Sequence, residues 1–147
     1  MTNCVLCETA GGDLLWHDDK VRVVAIDEAD YPGFCRVIWN NHMTEFSELE
    51  PRQREYLIDI VSQVEQIIRR VMQPVKMNLA SLGNQVPHLH WHLIPRYADD
   101  AHFPAPIWGQ RVRATAEAVL QLRRSRALEL RAAIMSGLAS QPVVAPH

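Results

Sequence analysis

Histidine alternates with apolar residues in one short segment of this chain, and a period of two residues is that of a β-strand. The segment is His88-Leu89-His90-Trp91-His92. Successive side chains of a strand point to opposite faces of a sheet, so we expect the three histidines on one face, roughly 7 Å from one to the next. The apolar residues would then pack on helices, and the histidines would face an open site.

Short apolar segments bounded by charged or turn-forming residues predict four further strands. They are expected at residues 14–16, 21–26, 35–39 and 75–82. The histidine strand is expected at residues 89–94 and ends at Pro95, because proline has no amide hydrogen to donate to a neighbouring strand.

Two helices are predicted between and after these strands. Apolar residues recur at intervals of three and four over residues 57–71, which is the period of an amphipathic helix with one face on a sheet. Pro51 suits the first turn of this helix, which ends before Pro74. A second helix is expected at residues 111–135. This order of elements predicts an α+β fold, with an antiparallel sheet and helices against one face.

Length and composition are those of one compact domain. The chain has 147 residues, of which 48% are hydrophobic, and we expect a single domain at residues 1–137 with a flexible tail at residues 138–147. The net charge of -2 gives no broad positive field for nucleic acid. The sequence shows no membrane-spanning apolar segment and no signal peptide, so we expect a soluble cytoplasmic protein.

From the residues alone, the alternating histidines have three interpretations. They form the polar face of an exposed strand, or they bind a metal as in tri-histidine hydrolytic sites, or one of them is a nucleophile toward phosphorus. Asn78 on the preceding strand and the loop that contains Gly83 and Gln85 offer amide donors to a phosphate. These donors favour phosphoryl chemistry.

The three cysteines are informative through their spacing. Cys4 and Cys7 form a C-x-x-C pair, whereas Cys35 lies in a predicted strand, where we expect it to be buried. An odd number of cysteines without a secretory signal argues against a disulfide framework. The pair is therefore half of a tetrahedral zinc site or two unligated thiols.

The histidine segment, extended to Ile94, resembles the signature of a known family. His88-Leu89-His90-Trp91-His92-Leu93-Ile94 is similar to the His-φ-His-φ-His-φ-φ motif of the histidine-triad family, in which φ is an apolar residue. The resemblance extends upstream to residues 33–42, which end in a fourth histidine, His42, and to the acidic residue Asp27.

This resemblance implies an antiparallel sheet domain, usually a homodimer, that binds a nucleoside phosphate and attacks its α-phosphorus. The substrate would be a dinucleoside polyphosphate, a nucleoside phosphoramidate or a related adenylated compound. His90 would attack the α-phosphorus and become transiently nucleotidylated, while His92 would contact the phosphate or the bridging oxygen. Asn78 would orient a phosphate oxygen or the leaving group, and Asp27 would hold the ribose hydroxyls. Water would then release the mononucleotide, without a redox cofactor.

The resemblance also implies a structural zinc site. Its first triad histidine would bind the metal and orient the strand, which leaves the other two for the chemistry. The implied ligands are Cys4, Cys7, His42 and His88.

Three further residues are weighed as substrate contacts. Gln85 stands three residues before the first triad histidine, where the family often has Ser or Thr, so its longer side chain leaves its role open. Trp108 offers an aromatic surface for a base, although packing is an alternative. Arg96 is interpreted equally well as a surface cation or as a contact to a distal phosphate.

Two other functions remain open at this point. One is a zinc-dependent hydrolase that uses the triad histidines as ligands, and the other is a nucleotide-binding partner protein with incidental activity. Chelation distinguishes a catalytic zinc from a covalent histidine, and His90→Ala distinguishes the covalent enzyme from the binding protein.

Overall fold

The computed structural model describes residues 3–139, which form an antiparallel sheet and helices. The strands are β1 (Asp13–His17), β2 (Val21–Ala25), β3 (Cys35–Trp39), β4 (Lys76–Ala80) and β5 (His90–Arg96). The helices are α1 (Val5–Glu8), α2 (Pro51–Met72) and α3 (Glu117–Ala139), with a 3-10 turn at Phe46–Glu48. The strand order is β1-β2-β3-β5-β4, so the histidine strand β5 lies between β3 and β4. The predicted α+β fold with an antiparallel sheet is confirmed.

Helix α2 begins and ends where local residues favour it. The side chains of Glu50 and Gln53 form a reciprocal capping box at its start, beside Pro51 in the first turn. Gln73 ends the helix in the left-handed conformation, with φ 50°, and Pro74 follows. Within residues 3–139, no helix is long and apolar enough to cross a membrane.

One face of the sheet is covered by α2 and α3, which pack on the sheet and on each other. Every third or fourth residue of α2 is buried there, as its period predicts. Complete burial of one such aliphatic side chain contributes about 1.5–3 kcal/mol. The central members of this core are Val23, Val37, Leu57, Val64, Ile68, Leu93, Leu130 and Ile134.

The opposite face, which carries the histidines, is covered by irregular segments. Cys4 and Leu6 of the N-terminal segment pack on Val24 and Ile38. Tyr31 and Phe34, from the connection between β2 and β3, form a second cluster with Ile94. This face therefore has a smaller apolar core than the helical face.

Helix α3 starts later than the sequence predicted, at Glu117 instead of Arg111. The preceding residues make tertiary contacts that a helix would break: the amide of Val112 donates to the carbonyl of Ala101, and Arg113 donates to the carbonyls of Asp100 and Phe103. Tertiary hydrogen bonds override helix propensity here. At its other end, the helix runs to Ala139 with Leu138 buried, two residues into the expected tail. Residues 140–147 lie outside the described part.

The expected end of the histidine strand at Pro95 is also wrong, since β5 continues to Arg96. The last residue of β5 that pairs with β3 is Leu93, whereas pairing with β4 continues to the end of the strand. Pro95 therefore lies where β5 has a neighbour on one side, and its missing amide hydrogen leaves no partner unsatisfied.

Candidate active site and metal cluster

His90 is the first residue of β5 and points away from the helices. Its Nδ1 lies 2.5 Å from the backbone carbonyl oxygen of His88. A carbonyl oxygen accepts but cannot donate, so Nδ1 carries the hydrogen, and Nε2 of the neutral ring holds a lone pair. Within residues 3–139, Nε2 of His90 has no hydrogen-bond partner. This nitrogen is therefore available to attack an electrophile.

His92 has the opposite tautomer. Nε of Arg36, which is always a donor, lies 3.4 Å from Nδ1 of His92, so this Nδ1 accepts and Nε2 carries the hydrogen. The ring centroids of His90 and His92 are 4.8 Å apart, at an interplanar angle of 79°. The strand thus places a nucleophilic nitrogen beside a hydrogen-bond donor.

Both imidazoles are buried, and the expectation of an open histidine face is wrong. His90 and His92 are each 6% exposed. Burial lowers the pKa of His90, and the positive charge of Arg36 acts in the same direction, while the hydrogen bond to His88 opposes it. Burial, then His90 and Arg36, lower the pKa of His92 to about 4. Neutral rings at pH 7 suit nucleophilic attack by nitrogen.

Aromatic side chains enclose His92. Phe34 contacts it edge-on, at 5.8 Å between ring centroids. The ring of Trp108 contacts it at 5.1 Å between centroids, and this residue is 51% exposed. The two histidine rings also lean together, closer than the roughly 7 Å expected from strand geometry. Trp108 is therefore the residue of this group that faces both the site and the solvent.

Two cysteines and two histidines converge at the N-terminal end of this face. The ligand atoms of Cys4, Cys7, His42 and His88 all lie within 4.8 Å of one another. The distances from Sγ of Cys4 and of Cys7 to Nδ1 of His88 are 3.3 and 3.5 Å. A tetrahedral zinc site with normal bond lengths separates sulfur from nitrogen by about 3.5 Å, so this cluster fits zinc. Nε2 of His88 donates to the carbonyl of Trp39 at 2.6 Å, which fixes the ring.

Comparison with known proteins identifies the family. A family model of the HIT domain matches residues 9–99. The chain belongs to the HIT family. It is 25% identical over 115 residues to "Protein hit" of Bacillus subtilis, an alignment that covers 72% of this chain and 79% of that protein. It is 29% identical over 87 residues to the AP-4-A phosphorylase of Mycobacterium tuberculosis, which covers 55% of this chain but only 45% of that enzyme.

Solved structures of HIT proteins share the fold. A histidine triad protein from Bradyrhizobium japonicum matches with a TM-score of 0.64 and 28% identity, over 80% of this chain and 90% of that one. A zinc-bound histidine triad family protein from Mycobacterium smegmatis matches with a TM-score of 0.57 and 18% identity, over 89% and 97%. The resemblance inferred from the histidine motif is therefore confirmed.

The structure brings Asn78 to the same face as the triad. It lies on β4 opposite Ile94, two pairs along the ladder from His92. Its Oδ1 accepts from Nη1 of Arg96 at 2.7 Å, and its Nδ2 donates to no residue within the described part. The amide nitrogen of Asn78 is therefore available to a ligand.

Within residues 3–139, neither Gly83 and Gln85 of the loop before the triad nor the acidic residue Asp27 forms a hydrogen bond with a triad histidine. Gly83 adopts φ 80°, a left-handed conformation that allows the loop to turn, and Gln85 is exposed. Asp27 is exposed at the end of β2, where it lines a groove of about 610 Å³ between the β2–β3 connection and α3. Within residues 3–139, no triad histidine lines this groove.

Arg96 is neither a surface cation nor an open phosphate contact, because it is buried beside the HIT motif. Its Nε and Nη2 donate to Asp100 at 2.8 and 3.0 Å. Asp100 also accepts from the backbone amides of Tyr97, His102 and Phe103. Burial acts to raise the pKa of Asp100, but Arg96 and these amides outweigh it and lower the pKa to about 2. The group orders the segment that carries Trp108.

Sequence reasoning did not assign Arg36 any role. It is the second residue of the otherwise apolar strand Cys35–Trp39 and lies directly opposite His92. A charge between buried neighbours is the signal that was available, because such a side chain needs a partner or a ligand.

Proposed function

We propose that this HIT protein is a hydrolase that cleaves a nucleotide at its α-phosphate through a covalent nucleotidyl-His90. The observation that carries the proposal is the pair of opposite tautomers, with the lone pair of His90 beside the Nε2–H of His92. The substrate class is a dinucleoside polyphosphate, a nucleoside phosphoramidate or a related adenylated compound. Similarity to an AP-4-A phosphorylase over part of that enzyme supports this class.

In the first step, Nε2 of His90 forms a bond to the α-phosphorus, and the bond from phosphorus to the leaving group breaks. A polyphosphate leaves as an anion and needs no proton, whereas the amine of a phosphoramidate takes a proton from the solvent as its bond to phosphorus breaks. The ring of His90 then carries a positive charge. The carbonyl oxygen of His88 stabilises this charge, because it accepts the hydrogen bond from Nδ1. His92 donates a hydrogen bond from Nε2 to a phosphate oxygen or the bridging oxygen, which stabilises the charge of the transition state.

In the second step, water attacks phosphorus and the phosphorus–nitrogen bond breaks. Its electron pair returns to Nε2 of His90, the mononucleotide is released, and a proton passes to the solvent. Splitting one displacement into two lets the same nitrogen serve as nucleophile and as leaving group.

Other residues complete the proposed site. Nδ2 of Asn78 orients a phosphate oxygen, and the loop at Gly83 and Gln85 supplies further donors. Trp108, half exposed beside His92, gives the base a stacking surface. Asp27 binds the ribose hydroxyls, which requires the ligand to extend from the histidines to the end of β2.

Steady-state hydrolysis of a diadenosine polyphosphate and of an adenosine phosphoramidate tests the function. Loss of the nucleophile in His90→Ala should lower kcat by about 10³-fold or more with either substrate. His17→Ala, which changes an exposed histidine in β1, is the control and should retain full activity. Turnover by His90→Ala at the wild-type rate would contradict the assignment, and binding without turnover in the wild type would favour a nucleotide-binding protein.

We also propose that Cys4, Cys7, His42 and His88 hold a structural zinc ion. The ion would join the N-terminal segment to the start of β5 and thereby fix the carbonyl of His88, which orients His90.

Protein purified without added zinc should contain about one zinc per chain, and Cys7→Ser should lose it. Chelation should lower the thermal midpoint but spare turnover at temperatures where the protein stays folded. A metal-free, fully stable wild type would remove the zinc proposal, whereas turnover that depends on zinc would favour a zinc-dependent hydrolase.

A homodimer in the cytoplasm completes the proposal. β4 is an edge strand whose unpaired side is available to a second copy, and Val75 and Leu79 beside it are exposed apolar residues. The thiols of the zinc cluster stay reduced in the cytoplasm. Light scattering should give the mass of a dimer for the wild type and of a monomer for Leu79→Lys, and a monomeric wild type would exclude the dimer.

A further inference from the structure

Arg36 lies on the histidine face of the sheet. It pairs directly with His92 across β3 and β5, and its neighbours on its own strand, Cys35 and Val37, are buried on the opposite face. Its Nε donates to Nδ1 of His92 at 3.4 Å, and its guanidinium lies 6.0 Å from the ring centroid of Phe34. The charge of this residue is therefore held beside the proposed reaction centre.

The guanidinium of Arg36 has no anionic partner within residues 3–139. Its one hydrogen bond there uses Nε, so both Nη nitrogens are left without an acceptor. The two other arginines of this face differ in this respect. Arg96 is paired with Asp100, and Arg22 donates to the carbonyls of Leu6, Thr9 and Ala10 and to Asn40.

A half-buried cation without a counter-charge is costly, and burial accordingly lowers the pKa of Arg36. His92 cannot supply the positive charge that a phosphate needs, because its own pKa is about 4 and the ring is neutral at pH 7. Arginine presents planar, parallel N–H groups that match two phosphate oxygens. A bound phosphate would thus provide both the missing acceptors and the missing charge.

We propose that Arg36 is a substrate-binding residue whose Nη nitrogens bind the anionic phosphate of the nucleotide that reaches His90 and His92. The inference rests on the proposed function and sharpens its substrate class to nucleotides with a free anionic phosphate oxygen at this position. Arg36 is then the group by which the site distinguishes a nucleotide from the corresponding nucleoside.

Calorimetric titration with AMP and with adenosine tests this role without requiring turnover. The wild type should bind AMP more tightly than adenosine. Arg36→Gln should weaken AMP binding by about 10- to 100-fold, as for loss of a charge-assisted hydrogen-bonded pair, and change adenosine binding less than about twofold. Arg70→Gln, which removes the same charge from an exposed position on α2, should change neither.

A second variant separates charge from the contact with His92. Arg36→Lys keeps the charge but lacks the Nε donor, so it should retain most of the preference for AMP. If Arg36→Lys lost the preference for AMP as completely as Arg36→Gln, the effect would come from the orientation of His92. That result would overturn phosphate binding by Arg36. Phosphate binding would also be overturned if Arg36→Gln weakened adenosine binding as much as AMP binding. The same holds if a lowered thermal midpoint of this variant accounted for its loss of AMP affinity.

The outcomes also distinguish this inference from the proposed function. If the wild type bound neither AMP nor adenosine, the proposed function would fail and this inference with it. If the wild type and Arg36→Gln showed the same preference for AMP while His90→Ala abolished turnover, only the role of Arg36 would be wrong.

Discussion

The two faces of the sheet are held together by different interactions. On the helical face, α2 and α3 bury a continuous apolar core that includes Leu57, Leu93 and Ile134. On the histidine face, irregular segments pack in small clusters, and one buried carboxylate, Asp100, joins an arginine and three backbone amides. The helical face is stabilised by many interchangeable apolar contacts, whereas the histidine face depends on a few specific polar ones.

This difference explains why the site lies where it does. An apolar core tolerates substitutions of similar volume, but it offers no donors or acceptors to a substrate. A hydrogen-bonded network fixes side chains at defined positions, and each member is costly to remove because its partners remain buried. The histidine face therefore positions its side chains accurately but tolerates single changes poorly.

Asp100→Asn should have a severe effect on stability. It leaves the buried guanidinium of Arg96 without its counter-charge, so the free energy of unfolding should fall by about 3–5 kcal/mol. Asp99→Asn is a matched control, since the adjacent carboxylate is half exposed to solvent, which screens its pairing with the buried side chain of Arg123. Its effect should be about 0–1 kcal/mol. Urea unfolding measures both, and equal effects would contradict the polar account of this face.

Leu57→Ala should destabilise the helical face by about 2–5 kcal/mol, the usual result of deleting a fully buried leucine side chain. The neighbouring Ile58→Ala is the control, because Ile58 is exposed and should change stability by about 0.5 kcal/mol or less. Where the protein remains folded, Leu57→Ala should leave AMP affinity unchanged, while Asp100→Asn should lower it by misplacing the segment with Trp108. Loss of AMP binding in folded Leu57→Ala would mean that the two faces are coupled.

Acid should reduce the contribution of Asp100. Its pKa of about 2 in the folded protein lies below the ordinary value near 3.8, so its stabilisation is present above about pH 4 and is lost as the pH falls toward 2. The difference in unfolding free energy between the wild type and Asp100→Asn should therefore shrink over this interval. The comparison cancels the effect of His92, which also destabilises the fold as the pH falls from its ordinary pKa toward about 4. A constant difference would show that Asp100 has an ordinary pKa.

Trp108→Ala should have a small effect on stability, about 0.5 kcal/mol or less, because half of the ring is exposed. Nucleotide affinity should fall by several-fold if the ring stacks on the base, with adenosine and AMP affected alike. An unchanged adenosine affinity would leave Trp108 as a cover for His92 without a role in binding.

The sequence predicts the helical face better than the histidine face for a physical reason. The stripe on α2 and the alternation around His90 are local periods, and a helix and a strand form at these places. The start of α3 at Glu117 and the continuation of β5 past Pro95 depend on partners distant in the chain, such as Ala101 and β4. Such partners are not readable from a single segment.

The same distinction applies to the candidate site. The residue types Cys-x-x-Cys and His-x-His-x-His indicated the cluster of two cysteines and two histidines and the adjacent imidazoles of His90 and His92, which the fold brings together. The sequence did not predict three features: the burial of the histidines, the pairing of Arg96 with Asp100, and the hydrogen bond from Arg36 to His92. Each depends on which strand lies beside which, and the order of strands is a property of the complete fold.

Intact-protein mass spectrometry after a rapid, acid-free quench tests covalent catalysis most directly. Wild-type protein mixed with a diadenosine polyphosphate should gain the mass of one nucleotidyl group, peptide mapping should locate it on His90, and His90→Ala should show no gain. Wild-type turnover without any adduct, or the same adduct in His90→Ala, would contradict the assignment of His90 as the nucleophile.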